Sequence, residues 1–229
     1  MYAALIVAAG KGSRAGTEVP KQYVDLDGKT ILRRTLDRFL GNDGVSRVTV
    51  VIADGDEALY TAALGGLSDA RLTSPVTGGA TRAQSVRAGL EAMTGHPPDH
   101  VLIHDAARPF VPPAAIQGVM DVLKIHMGAF VAVPVVDALW RTDGGFAISP
   151  QDRSAIWRAQ TPQGFQFDGI LQAHRAYKGD AADDVQIARA AGMLVQIVEG
   201  SEENFKVTTP ADIVRARAHL AFLETAKKA

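Results

Sequence analysis

The sequence contains no cysteine among its 229 residues. This absence excludes disulfide bonds, thiolate metal sites and cysteine nucleophiles. An excess of one charge is also lacking, because 24 lysines and arginines oppose 25 aspartates and glutamates and leave a net charge of −1. A chain so nearly neutral carries no large electrostatic surface for nucleic acid or anionic membranes, so any anion site must be local.

Long hydrophobic runs are missing as well. The apolar stretch at residues 3–9 lacks a basic leader and leads directly into charged residues. It is far shorter than the roughly 20 apolar residues of a membrane span, and it does not have the pattern of a signal peptide. We therefore expect a soluble, cytoplasmic protein, and its length predicts a single domain over residues 1–229.

Short apolar runs alternate with segments of helical period. The runs predict strands at residues 3–9, 47–53, 100–104, 129–135 and 194–198. Thr30 and Thr81 have the positions of helix N-caps, and Pro113 and Pro210 are placed to open two further helices. This alternation predicts an α/β fold with a doubly wound, mostly parallel sheet between helices, whose ligands bind beyond the carboxyl ends of the strands.

Residues 137–165 interrupt this alternation. They contain a Gly144-Gly145 turn between two polar arms that carry aromatic residues, a pattern typical of a protruding β-hairpin. A hairpin that leaves its own core must pack on another surface, and a second copy of the chain is the simplest partner. We therefore predict a dimerisation arm at about residues 137–165 and a homodimer.

The loop after the first predicted strand is rich in glycine and positive charge. Gly10, Gly12 and Ala15 match the spacing of a dinucleotide fingerprint, but Pro20 follows and the next strand begins near residue 47, so the usual context is missing. A phosphate cradle explains the loop better, because glycines let backbone amides approach phosphate while Arg14 and Lys21 supply charge. An ordinary solvated loop remains the alternative.

Three other stretches have residues suited to a nucleotide site. Asp105 directly follows a strand, where a carboxylate could bind Mg²⁺ together with substrate phosphates or could instead cap the next turn. Gly78 and Gly79 precede the helix capped by Thr81, an arrangement that presents amides to an anion. Ser85 could contact a base from that helix or simply lie on its surface. We expect His104 and Arg108 to make structural hydrogen bonds.

Seven stretches, in this order, carry a family resemblance over essentially the whole chain: AAGKGSR, PKQY, GGATRAQSV, HDAARP, DRSAIWRAQTPQ, the Asp183-Asp184 pair and NFKVTTP. The chain resembles the 2-C-methyl-D-erythritol 4-phosphate cytidylyltransferase family. The resemblance implies a Rossmann-like nucleotidyltransferase fold. It also implies transfer of CMP from CTP to methylerythritol phosphate, with Mg²⁺ and with release of pyrophosphate, in the non-mevalonate pathway to isoprenoids.

The resemblance also implies roles for individual residues. The residues that would hold the cytidine and the triphosphate are Ala8, Ala9, Gly10, Gly12, Gly79 and Ser85. Asp105 would bind Mg²⁺, and Arg14 and Lys21 would stabilise the transition state. The acceptor would meet Arg153 and Lys206 at its phosphate and Asp137 at its hydroxyls, with Thr161 nearby. The arm would cross to the neighbouring subunit, so that Arg153 acts on the site of its partner.

Two positions depart from the family pattern. Ala138 and Ala182 stand where threonines are usual in the family, and the missing hydroxyl at Ala138 would remove one hydrogen bond to the acceptor phosphate. A ribitol 5-phosphate cytidylyltransferase is therefore an alternative with the same chemistry. From other classes, a NAD-dependent dehydrogenase would explain the glycine fingerprint, and a non-catalytic protein could retain the nucleotide site.

Overall fold

The computed structural model describes residues 1–10 and 19–226. Its strands are β1 (Tyr2–Val7), β2 (Asp25–Leu26), β3 (Lys29–Thr30), β4 (Val45–Ile52), β5 (Val76–Thr77), β6 (His100–Asp105), β7 (Gly128–Pro134), β8 (Leu139–Asp143), β9 (Phe146–Gln151), β10 (Trp157–Gln166) and β11 (Val195–Glu199). Its helices are α1 (Ile31–Leu40), α2 (Glu57–Leu64), α3 (Arg82–Ala92), α4 (Pro113–Val122), α5 (Phe167–Ala176), α6 (Asp184–Ala190) and α7 (Pro210–Ala226). A short 3-10 turn, Lys21–Tyr23, precedes β2.

Seven strands form one sheet in the order β11-β7-β10-β6-β1-β4-β5. The pairs β1–β4, β1–β6, β4–β5 and β7–β11 are parallel, while β10 runs antiparallel between β6 and β7. Val7 lies opposite both Val51 and Asp105, so β1, β4 and β6 end at the same edge of the sheet. The predicted doubly wound, mostly parallel α/β sheet is confirmed.

Helices cover both faces of this sheet. Ala4 and Ile6 of β1 belong to the apolar cluster formed with α1 and α4, whereas Ala3 and Leu5 belong to the cluster formed with α3 and α5. All four are fully buried, which explains why the strand is continuously apolar. Helix α3 lies especially close, since a Cβ at Gly89 would stand 2.4 Å from Leu5 Cδ1.

The predicted helix starts are confirmed by their caps. Thr30 accepts a hydrogen bond from the Arg33 amide at the start of α1. Thr81 and Gln84 form a reciprocal capping box at the start of α3. Pro113 is the first residue of α4 and Pro210 the first of α7. Helix α7 then packs its buried face over β2 and the loop that follows β6.

The predicted arm is too long at its C-terminal end. Strands β8 and β9 do form a hairpin around Gly144 and Gly145, whose φ angles of 52° and 87° suit glycine. Residues 157–166, however, return to the central sheet as β10. The polar residues of this segment indicated an exposed arm, but residues 160–165 are buried in the strand. Thr161 therefore lies in the sheet and not on the arm.

Among the described residues, no helix is both long and apolar enough to cross a membrane. The single-domain organisation and the role of the arm in dimerisation stay predictions.

Candidate functional site

A cavity of about 710 Å³ opens at the edge of the sheet where β1, β4 and β6 end. Loops after β1, β5 and β6 form its walls together with the segment that precedes α7. The residues predicted from the sequence that line it are Ala8, Ala9, Gly10, Lys21, Gly79, Ser85, Asp105 and Lys206. Segments from positions 8 to 206 of the chain are thus brought to one place. Gly12 and Arg14 lie outside the described residues.

The glycine loop before α3 packs tightly against the end of β1. A Cβ at Gly78 would stand 2.7 Å from both Ala9 Cβ and Ser85 Oγ, so only glycine allows this approach. The Gly79 amide donates to Ser85 Oγ at 3.1 Å, and the Ser85 hydroxyl lies 2.9 Å from the Thr81 carbonyl. In this structure Ser85 therefore holds the glycine loop in place, and its contact with a base stays a prediction.

Gln22 fixes the loop that follows β1. Its side-chain amide donates to the carbonyls of Ala8 at 2.6 Å and Gly10 at 3.0 Å, and it is almost fully buried. The neighbouring Lys21 lines the cavity. Gln22 was not predicted as a site residue, although it lies in the PKQY stretch. Two hydrogen bonds to a segment about a dozen residues away could not be inferred from the sequence alone.

Asp105 lies at the floor of the cavity among three positive side chains. Lys206 Nζ is 2.8 Å from Oδ2, and Arg82 Nε is 3.2 Å from Oδ1. Arg108 Nε lies farther away, 3.8 Å from Oδ2. Arg108 also donates to the Asn204 carbonyl at 2.7 Å, in keeping with the structural role expected for it. Positive charge is therefore concentrated around one carboxylate.

These cations determine the charge of Asp105. Burial by itself would raise the pKa of this carboxyl, but Arg82, Lys206 and Arg108 together hold the pKa well below its usual range. The carboxylate is thus ionised near neutral pH. An ionised carboxylate at the end of a strand can bind a cation or orient a positive side chain toward a bound anion.

A second carboxylate, Asp184, contacts Arg82, which lines the cavity. It is fully buried, and its Oδ2 lies 2.8 Å from Arg82 Nη1 as an ion pair without hydrogen-bond alignment. His174 Nε2 lies 3.1 Å from its other oxygen. Arg82 and His174 were missed in the sequence analysis. Asp184 was noted there only as part of an Asp-Asp pair, because the contacts connect residues that are far apart in the chain.

His104 and Thr161 support Asp105 through the backbone. The Asp105 amide donates to Thr161 Oγ1 at 3.2 Å, and this hydroxyl lies 2.9 Å from His104 Nδ1. His104 Nε2 lies 3.1 Å from the Arg108 carbonyl and therefore carries the ring proton. Burial lowers the pKa of His104 to about 4, so the ring is neutral. The structural role expected for His104 is confirmed.

Two predicted acceptor residues lie away from this cavity. Asp137 and Arg153 flank the β8–β9 hairpin, and neither is among the described residues that line the cavity. Arg153 donates to the carbonyl of Val136 within the base of the arm. Among the described residues, one chain therefore brings together Lys206 and the residues predicted for the nucleotide, but not Arg153 or Asp137.

Two acidic residues, Asp54 and Asp105, line the cavity, and Asp105 is the one surrounded by cations at the end of β6. In the described part of the chain, no group of three or more His, Asp or Glu residues is placed to hold a metal ion. Mg²⁺ is commonly bound by one or two carboxylates together with substrate phosphates and waters. Asp105 fits this mode, since it is ionised and lines a cavity large enough for a triphosphate.

The cavity as a whole is suited to a polyanion. It combines lysines, a glycine loop that leads to the N-terminus of α3, and the exposed ends of three parallel strands. Backbone amides and fixed positive charge at such a position bind phosphate groups.

Comparison with known proteins agrees with this chemistry. Residues 2–221 match the family model described as 2-C-methyl-D-erythritol 4-phosphate cytidylyltransferase. A protein of that name from Cereibacter sphaeroides is 51% identical over 219 residues, which cover 96% of each chain.

Solved structures are similar to this chain over 96% of its length. A 4-diphosphocytidyl-2C-methyl-D-erythritol synthase from Anaerococcus prevotii superposes with a TM-score of 0.84 at 26% identity, covering 96% of this chain and 98% of its own. A 2-C-methyl-D-erythritol 4-phosphate cytidylyltransferase from Thermus thermophilus superposes with a TM-score of 0.79 at 31% identity, covering 96% and 100%.

Proposed function

Because this chain belongs to the 2-C-methyl-D-erythritol 4-phosphate cytidylyltransferase family, we propose that it transfers CMP from CTP to 2-C-methyl-D-erythritol 4-phosphate. The products are 4-diphosphocytidyl-2-C-methyl-D-erythritol and pyrophosphate. The observation that carries this proposal is the meeting of Lys21, Lys206 and the Gly78-Gly79 loop in one cavity around Asp105. A cytoplasmic location stays a prediction.

The reaction joins two phosphorylated molecules. An oxygen of the acceptor phosphate attacks the α-phosphorus of CTP, a new phosphorus–oxygen bond forms, and the bond to the β-phosphate bridge breaks. Pyrophosphate leaves with that electron pair. Because the attacking oxygen is already an anion, no side chain has to remove a proton. Catalysis then depends on positioning and on stabilising negative charge, as in other phosphoryl transfers.

The positive side chains of the cavity supply that stabilisation. Lys21, at the wall next to the β1 loop, is assigned to the charge that develops on the phosphates, together with Arg14, which lies outside the described residues. Lys206 is assigned to the acceptor phosphate, and its 2.8 Å contact with Asp105 holds its ammonium at the cavity. The amides around Gly79 and Gly10 are assigned to the nucleotide.

Asp105 is assigned to Mg²⁺, which would offset negative charge on the triphosphate when it is bound. The support is chemical: an ionised carboxylate lines the cavity and leaves the other ligand positions to phosphates and waters. Lys206 and Arg82 now contact the same carboxylate, so its two oxygens would be shared between these cations and the metal.

The remaining acceptor residues are assigned to a partner subunit. The β8–β9 hairpin exposes large apolar side chains, among them Trp140, Phe146 and Ile148, which a second chain would cover. Because Arg153 and Asp137 do not line the cavity of their own chain, the arm would carry them to the site of its partner. Thr161 lies beneath Asp105 and supports the site through its hydrogen bonds.

Pyrophosphate release tests the proposal directly. Purified protein should release pyrophosphate from CTP and Mg²⁺ when 2-C-methyl-D-erythritol 4-phosphate is present, and much less without the acceptor. Ribitol 5-phosphate in a parallel reaction tests the alternative acceptor left open by Ala138. Release with ribitol 5-phosphate alone would reassign the acceptor, and no release with either would contradict the function.

A further inference from the structure

The Asp183-Asp184 pair is noted in the sequence but has no part in the chemistry described so far. The two aspartates make different contacts. Asp183 is the N-cap of α6 and accepts a hydrogen bond from the Gln186 amide at 3.0 Å. Asp184 is therefore not needed as a cap. Its side chain is fully buried and turns inward to Arg82 and His174.

A buried carboxylate is unfavourable unless it is paired. Burial raises the pKa of Asp184, but Arg82 and His174 more than offset this and lower the pKa below its ordinary value. His174 is buried too, so its contact places a donor on one carboxylate oxygen and leaves the other for Arg82. The second oxygen of Asp184 thus faces Arg82, the cation with which Asp184 forms its ion pair.

Arg82 is itself in an unusual place. It is the first residue of α3, where the helix dipole disfavours a positive charge. Its guanidinium nevertheless lines the cavity and lies between two carboxylates, with Nε 3.2 Å from Asp105 and Nη1 2.8 Å from Asp184. Asp105 has other cationic partners in Lys206 and Arg108. Asp184, by contrast, pairs with no cation other than Arg82 among the described arginines and lysines.

We propose that Arg82 is a positioning residue that aims the carboxylate of Asp105 into the cavity, and that buried Asp184 holds Arg82 in this role. The proposal rests on the proposed function, because its effect is measured as CMP transfer. Arg82 acts on the reaction through Asp105, and Asp184 acts through Arg82.

Asp184→Asn tests the second step because it removes charge while keeping shape. Loss of a supporting partner behind a site carboxylate typically costs about 10- to 100-fold, so kcat should fall by about that factor. The KM for CTP should not rise, because the substitution removes a negative charge near a polyanion. A purely structural defect would instead lower the unfolding temperature and the amount of folded enzyme, and kcat per folded enzyme would stay normal.

Glu91→Gln is the matched control. Glu91 is also an acid that links α3 to α5, through Arg175 at 2.6 Å, but this pair lies on the surface. Its removal should leave kcat and both KM values unchanged. Unfolding temperatures of both variants are measured alongside, and assays are run well below them.

Substitutions of Arg82 test the first step and remain informative if Asp184→Asn does not fold. Arg82→Ala should lose more activity than Arg82→Lys, which keeps the charge, and added guanidinium at non-denaturing concentration should restore part of the loss in Arg82→Ala. Equal activity of the Ala and Lys variants without guanidinium rescue would overturn the proposal. So would a folded Asp184→Asn enzyme with normal kcat. An inactive wild-type chain would overturn the proposed function instead.

Discussion

The cavity and the arm differ in how their side chains are partnered within one chain. At the cavity, Asp105 and Asp184 are buried and each contacts cations or donors from distant parts of the sequence. On the arm, Phe146 and Trp140 are 77% and 55% exposed. The cavity is therefore organised by the fold of one chain, whereas the arm leaves large apolar side chains exposed in that chain.

This difference predicts which step of the reaction each region affects. Substitutions at the cavity should change the chemical step, and substitutions on the arm should change the binding of the acceptor and the association of subunits. Five experiments test the division, in order of expected effect.

Lys21→Ala should have the largest effect on rate. Removing one preorganised donor to developing charge costs about 2.7–4 kcal/mol, or about 100- to 1000-fold in kcat. The variant should still fold and bind CTP, as measured by calorimetry. Lys29→Ala is the control, because Lys29 is a nearby lysine whose ion pair with Asp37 lies outside the cavity. Near-normal turnover of Lys21→Ala would contradict the role assigned to it.

Arg153→Ala should raise the KM for the acceptor with little change in CTP affinity. A hydrogen bond to a charged group is worth about 1.5–3 kcal/mol, which corresponds to roughly 10- to 150-fold in KM. Steady-state kinetics with each substrate varied in turn separates the two constants. A change only in the KM for CTP would contradict the assignment of Arg153 to the acceptor.

Mixing variants tests whether Arg153 acts on the partner. In a dimer of Lys21→Ala and Arg153→Ala subunits, one site would combine intact Lys21 with intact Arg153 from the other chain. Random mixing should therefore restore about a quarter of wild-type sites, by the statistics of two-fold assembly. The assay uses an acceptor concentration well below the KM of the Arg153→Ala variant, where both separate variants are slow. If both residues act within one chain, the activity of the mixture stays at the average of the separate variants.

The sequence predicts the cavity better than the arm for a physical reason. Residues at the ends of parallel strands reach the same edge whatever the details of packing, so Ala9 and Asp105 could be brought together from strand positions alone. Gly79 was predicted from its place before the helix that Thr81 caps. Caps such as Thr81 are equally local, since donor and acceptor are three residues apart.

Long-range partners could not be predicted in this way. Arg82 meets Asp184 only because α3 and α6 both lie on the same side of the sheet, and no local pattern links residues that are so far apart. The predicted C-terminal end of the arm was wrong because it, too, depends on long-range contacts. Gln160 and Thr161 read as exposed polar residues, yet Asn204 and His104 satisfy their hydrogen bonds inside the sheet.

Thr161→Val should destabilise the floor of the cavity. The substitution leaves the Asp105 amide and His104 Nδ1 without their buried partner, and each such group costs about 1–3 kcal/mol of unfolding free energy. Urea unfolding measures the loss. Thr225→Val is the control, because its hydroxyl bonds to the Ala221 carbonyl on the exposed part of α7. Equal stability of both variants would mean that the network beneath Asp105 contributes little.

Phe146→Ser should have the smallest effect of these substitutions, and we expect it to change only the association of subunits. Truncating a central aromatic side chain at an interface costs about 1 kcal/mol or more, so the dimer dissociation constant should rise about fivefold or more. Sedimentation equilibrium over a range of concentrations measures this constant. Phe222→Ser is the matched control, because Phe222 is 63% exposed but lies on α7, away from the arm. A wild-type chain that stays monomeric while fully active would show that Arg153 does not need a partner, and the contrast between cavity and arm would then have to be explained within one chain.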